Sequence, residues 1–148
     1  MPVNSAPTRL GIPRPIYQVM LAHLQTTYPQ EGCGFLAGKV DAAGHTAHVT
    51  QLSVVENRLR SPTAYEMEPE QQLQAMLSGE AHGEQILAVY HSHPYGPAFP
   101  SATDLAQAYY PELIYVIVSL QQQARPIARG FYLRDQTVHL EVQLLQGS

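Results

Sequence analysis

Gln85-Ile86-Leu87-Ala88-Val89-Tyr90-His91-Ser92-His93-Pro94 is the stretch on which the reading of this chain turns. Ile86 to Tyr90 has the short apolar character of a buried strand, and Pro94 stops it because a proline cannot donate into a sheet ladder. Near a strand's end, residues two apart point to one face. His91 and His93 can therefore aim both imidazoles at one point while Ser92 faces away. The Pro-rich stretch Pro94 to Pro100 reads as a loop, and Ser101 to Tyr110 as a helix stopped by Pro111. Asp104 then falls in the first turn of that helix, where its carboxylate can complete a set of two histidines and one aspartate. Three protein ligands leave a fourth position open on a tetrahedral zinc ion, which marks a catalytic site rather than a closed structural one. Ser101-x-x-Asp104 is also a good capping pattern, and the two readings are compatible. Capping alone does not account for the histidine pair that ends the preceding strand.

Outward from this stretch the chain alternates helix and strand patterns. Pro13 and Pro15 precede Ile16, Val19, Met20, His23, Leu24 and Thr27, a spacing near 3.6 that predicts a first helix closing at Tyr28-Pro29. Gly32 to Gly38 encloses a short apolar strand, Asp41 to Gly44 supplies a turn, and a second strand alternates through Val49, Leu52 and Val54. Glu68-Pro69 opens a helix marked by Leu73, Met76 and Leu77 and ended by Gly79. Leu113 to Leu120, Ile127 to Arg134 and Val138 to Leu144 are three further strands. The order α-β-β-α-β-α-β-β-β predicts a mixed α/β or α+β domain, a sheet flanked by helices.

Composition narrows the function. The chain has 148 residues, 45% hydrophobic and 14% charged, with no repeat or dividing linker, which suits one domain. A formal net charge of -4 without any run of Lys or Arg removes the electrostatic footprint of a nucleic-acid binder. No apolar run approaches the roughly 20 residues a membrane helix needs. Met1 to Leu10 is polar, carries Pro2 and Pro7 and lacks an apolar signal core, so the cytoplasm is the expected compartment. Cys33 is the single cysteine, which excludes an intrachain disulfide and any zinc site built from several cysteines. A metal must rely on His and carboxylate. His23, His45, His48, His82 and His139 lack such company and read as surface or core residues.

The spacing His91-Ser92-His93-Pro94, six residues, then Ser101-Ala102-Thr103-Asp104, resembles the JAMM (MPN-plus) metalloproteases. Their upstream glutamate follows the first helix at the start of a strand, the place that Glu31 holds in Glu31-Gly32-Cys33-Gly34-Phe35. The resemblance covers about residues 10–142 of a single domain 1–148. It implies a curved, mostly antiparallel sheet flanked by helices, related to the cytidine-deaminase architecture; a deaminase itself is disfavoured because Pro-Cys-x-x-Cys is absent. It also implies one zinc ion (Zn2+) on His91, His93 and Asp104, with Glu31 as general base and the Ser101 hydroxyl donating to the developing oxyanion. Cys33 lies two residues past Glu31 and reads as a small buried hydrophobe, with an oxidation-sensitive position near the metal as the second reading.

The family resemblance implies cleavage after the Gly-Gly tail of a ubiquitin-like protein. The short chain beyond Asp104 leaves little room for the long insertions of polyubiquitin-specific members. Asn57, Ser61-Pro62-Thr63-Ala64-Tyr65 and Glu68-Pro69-Glu70-Gln71-Gln72-Leu73 look like the branch that hydrolyses sulfur-carrier conjugates and releases cysteine. On that reading Asn57 and Ser61 belong to a substrate-selecting loop, and Tyr95 and Phe99 either wall the groove for the tail or pack their own loop down. The alternatives are a general isopeptidase acting on lysine conjugates, a non-catalytic MPN scaffold, and a RadC-like DNA-related protein. The last is disfavoured by the acidic balance. Oligomeric state is open, a homodimer included.

Overall fold

Strand β5, Ile114–Ser119, is buried along its whole length, so both faces of the sheet around it must be covered. The computed structural model describes residues 6–147; the polar, leaderless reading of the start therefore lies partly outside the described residues. The elements are β1 (Arg9–Ile12), α1 (Arg14–Thr27), β2 (Cys33–Val40), β3 (Thr46–Val55), α2 (Pro69–Ala81), β4 (Gln85–His93), α3 (Ala102–Ala106), β5, β6 (Ile127–Arg134) and β7 (Thr137–Gln146). Side chains alternate across the sheet with period two. Ile114, Val116 and Val118 of β5 join Tyr17, Met20 and Leu24 of α1 in one core cluster. Tyr115 and Ile117 join Cys33, Phe35 and Phe131 in the other, which Ala75 and Met76 of α2 cover.

The expected flanked sheet is closed on itself, in the order β1-β3-β2-β4-β5-β6-β7. Closure depends on β1, an element that sequence periodicity does not reveal because it is only four residues long. It pairs in parallel with both β3 and β7. The pair β4 and β5 is also parallel, and the remaining ladders are antiparallel. Two helix ends differ from expectation. The predicted helix over Ser101 to Tyr110 stops at Ala106, and the Tyr110 N–H instead donates to the Tyr115 hydroxyl at 3.1 Å. Helix α2 continues past Gly79, which is buried against the sheet; Gly83, at φ +68, makes the left-handed turn just beyond.

Candidate metal centre

The ladder between β2 and β4 sets Cys33 opposite His91, and that between β4 and β5 sets His93 opposite Ser119. His91 and His93 emerge on one side of β4, and their Nε2 atoms stand 3.2 Å apart. Ser92 points away and is wholly buried, its Oγ accepting the Gly32 N–H at 2.9 Å and its own N–H donating to the Gly32 carbonyl at 3.1 Å. Asp104 arrives from α3. Ser101 caps that helix with its Oγ accepting the Asp104 N–H at 3.0 Å, while Asp104 Oδ2 accepts the Ser101 N–H at 3.0 Å. The capping box fixes the carboxylate so that Oδ1 lies 3.2 Å from His91 Nε2 and Oδ2 lies 2.9 Å from His93 Nε2.

These separations suit a metal. Ligand atoms held about 2.0–2.1 Å from a tetrahedral zinc ion lie roughly 3.3 Å from one another. His93 Nδ1 is 2.8 Å from the Pro97 carbonyl, which can only accept, so Nδ1 carries a proton, and Nε2 faces Asp104 and His91, where it donates to the carboxylate when the imidazole is protonated and offers its lone pair to a metal when the ring is neutral. The Tyr65 ring stacks on His91 with centroids 4.6 Å apart. Among the described residues, His91, His93 and Asp104 are the one group of His, Cys, Asp or Glu side chains so arranged.

Glu31 lies two residues before β2, 4% exposed, and its Oε1 has no hydrogen-bond partner among the described residues. Burial pushes its carboxyl up to about 8, with the His93 imidazole drawing it down and Asp104 adding to the rise. Burial also pushes on Asp104, but the adjacent His91 and the hydrogen bonds from both histidines and the Ser101 N–H hold it well below the usual carboxylate range. For His93, burial pulls the imidazole down, and the hydrogen bonds to Asp104 and Pro97 outweigh this and raise it. The arrangement sets three side-chain atoms that could hold a metal beside a buried carboxyl that favours its protonated form.

The other predicted residues are distributed around this centre. Asn57 is buried, and its Nδ2 donates to the carbonyls of Glu31 at 3.0 Å and Ala64 at 3.1 Å. Its Oδ1 accepts the N–H groups of Leu59 at 3.0 Å and Glu66 at 3.1 Å, so the amide is fully used within the protein. The Ser61 carbonyl accepts the Glu31 N–H at 2.8 Å. Tyr95 is 59% exposed and meets Tyr28 edge-on, while Phe99, 46% exposed, meets Phe131 with centroids 5.4 Å apart. Cys33 is fully buried, its thiol donates to the Val55 carbonyl, and burial pushes it up to about 12. The thiol is therefore held protonated beside the site, which favours the small-hydrophobe reading over the oxidation-sensitive one.

Sequence reasoning missed the parts played by Ser92 and Tyr65, since neither a cross-strand bond nor a ring stack leaves a local pattern. Two clefts open beside the site. One, about 280 Å³, is lined in part by Tyr65, His91, Thr103, Asp104, Gln107 and Tyr110. The other, about 380 Å³, includes His23, Glu31, Gly32, Asn57, Arg60 and Gln71.

Comparison with known proteins matches residues 13–131 to the family described as prokaryotic homologs of the JAB domain. The chain is 33% identical over 123 residues to the CysO-cysteine peptidase of Mycobacterium tuberculosis, covering 83% of this chain and 82% of that protein. It is 38% identical over 100 residues to the probable TtuB-protein conjugate cleaving protease of Thermus thermophilus, covering 67% of this chain and 63% of that protein. A solution structure of a protein from Desulfitobacterium hafniense, 31% identical, superposes with a TM-score of 0.83 over 94% of each chain.

Proposed function

This chain belongs to the family of prokaryotic homologs of the JAB domain and is a JAMM-type peptidase; we propose that it hydrolyses the bond after the C-terminal Gly-Gly of a ubiquitin-like sulfur-carrier protein, releasing cysteine. The observation that carries this reading is the convergence of the His91, His93 and Asp104 donor atoms at 2.9–3.2 Å beside the buried, unpartnered Glu31 Oε1. The cytidine-deaminase-like architecture and a cytoplasmic location are parts of the same reading. Among the described residues no helix is long and apolar enough to cross a membrane.

His91, His93 and Asp104 would hold one zinc ion. The chemistry such an ion supplies when bound is acidification of water, to a pKa of about 7, and polarisation of a carbonyl. Glu31 takes the proton of the attacking water on its free Oε1 and delivers it to the leaving nitrogen, so hydroxide ends on the acyl carbon and the proton on the amine. Ser101 Oγ is already an acceptor for the Asp104 N–H, which leaves its own O–H to donate to the developing oxyanion. A Gly-Gly tail suits this centre because it brings no side chains into the cleft and can lie extended. On this reading the exposed faces of Tyr95, edge-on to Tyr28, and of Phe99, edge-on to Phe131, flank that path, whereas Asn57 of the substrate-selecting loop has its amide fully used within the protein.

The relative named for conjugate cleavage supports a second reading, removal of a ubiquitin-like protein from lysine. A non-catalytic scaffold has no use for the assembled donor set, and a net charge of -4 disfavours a DNA-related role. The test is to incubate the zinc-loaded protein and its Glu31→Gln variant with a carrier bearing one extra C-terminal cysteine, and with a lysine-linked conjugate of that carrier, and to read intact masses. Loss of cysteine alone, with the variant inert, is expected. Cleavage of the lysine conjugate moves the assignment to the general isopeptidase, and cleavage of neither overturns both substrate readings.

A further inference from the structure

Residue 31 stands outside the sheet ladder, since β2 begins at Cys33, and its two main-chain groups need partners from elsewhere. The loop 57–66 provides both. Its Ser61 carbonyl accepts the Glu31 N–H at 2.8 Å, and the Asn57 Nδ2 donates to the Glu31 carbonyl at 3.0 Å. The loop is itself shaped by Asn57, through the Ala64 carbonyl and the Leu59 and Glu66 N–H groups. On the other side, the next peptide is fastened to the strand bearing the histidines, by the paired bonds between Gly32 and Ser92.

We propose that Asn57 is a positioning residue: its side-chain amide, with the Ser61 carbonyl, clamps the Glu31 backbone against the Gly32–Ser92 anchor and so sets where the Glu31 carboxyl stands relative to His91, His93 and Asp104. The proposal rests on the hydrolase reading in which Glu31 moves the proton. Asn57 has no free donor for substrate, and among the described residues it makes no hydrogen bond to the side chains of His91, His93 or Asp104. Its bond to the Glu31 carbonyl acts on residue 31 directly, while the loop that it shapes also carries Tyr65, whose ring stacks on His91; unchanged zinc content separates the first route from the second. A base displaced by about 1 Å loses up to roughly 10²-fold in rate without weakening ground-state binding.

The test compares the zinc-loaded wild type with Asn57→Ala and Asn57→Asp. The aspartate keeps oxygen acceptors for Leu59 and Glu66 but loses the donors to the Glu31 and Ala64 carbonyls, so the loop keeps part of its shape while its hold on residue 31, the seat of the Ser61 carbonyl on the Glu31 N–H included, is loosened. Amide hydrogen exchange at Glu31 is expected to quicken at least 10-fold in both variants, with the β4 amides and the zinc content unchanged. On a cysteine-extended carrier, kcat should fall about 10- to 100-fold with KM unaltered. In a Glu31→Gln background, adding Asn57→Asp should leave the Kd for the carrier unchanged. Unchanged exchange at Glu31, a raised KM or Kd with kcat intact, or zinc lost in proportion to activity would each overturn the clamp. A wild type that cleaves no carrier overturns the hydrolase reading instead, and the exchange measurement still decides the clamp.

Discussion

Glu31 and Asp104 are buried carboxyls in one site, and their surroundings push them in opposite directions. Glu31 has an unpartnered oxygen and, without a metal ion, is raised by burial to about 8; a cation held by His91, His93 and Asp104 would draw it down toward the ionised form that accepts a proton. Asp104 accepts hydrogen bonds from both histidines and the Ser101 N–H and stays ionised, which suits a ligand. Glu31→Gln should therefore retain zinc by metal analysis and lose hydrolysis. Ser101→Ala should lower kcat by about 10²–10³ if the hydroxyl serves the oxyanion. It should also cost about 1 kcal/mol in thermal unfolding, because the α3 cap is lost. At this scale the sequence was highly legible for His91, His93, Ser101 and Asp104, which lie within one short span and obey strand and helix spacing. Glu31 came only from family resemblance, since no local pattern links it to the histidines.

Strand β2 has neighbours on both sides, β3 and β4, and carries the segment that delivers Glu31. At Gly34 an added Cβ would run into the Ser53 carbonyl and the Tyr90 ring. Backbone cannot retreat from such a contact, so Gly34→Ala should destabilise by at least the 1–3 kcal/mol typical of overpacking, read as a fall in Tm. Helix α1 was readable from its apolar spacing, and Met20 and Leu24 are fully buried as that spacing requires, but Val19 of the same series is exposed and Tyr17 takes a place in the core instead. The third helix was overread. The reading ran it on to Tyr110, but the hydrogen bond to Tyr115 and the partial burial of Tyr110 against the second core cluster draw the chain away after Ala106. Local propensity lost to tertiary packing there.

In the whole molecule the three residues proposed to hold the metal come from two elements, β4 and α3, so an ion bound there would tie the end of a central strand to a five-residue helix. Chelation should lower Tm, since a ligand at 1,000 times its Kd stabilises by about 4 kcal/mol. The metal-free protein should also show a characteristic pH dependence. Glu31, raised from its ordinary 4.5 to about 8, binds a proton in the folded state that the unfolded chain releases, so stability falls as pH climbs through that window. Asp104, lowered, acts oppositely: its contribution is present above the ordinary carboxylate range and is lost as pH falls below it. Denaturant unfolding of metal-stripped protein between pH 4 and 9 should show the first effect vanish in Glu31→Gln. The sequence alone determined the α+β class, most elements and the grouping of His91, His93 and Asp104, because periodicity and capping are local properties of consecutive residues. The tertiary structure alone decided that β1 closes the sheet, that Gly32 lies against Ser92, and that Asn57 grips residue 31. Those are pairings between distant segments, and the choice among possible partners is made by cooperative packing of both sheet faces, which no short window of sequence records.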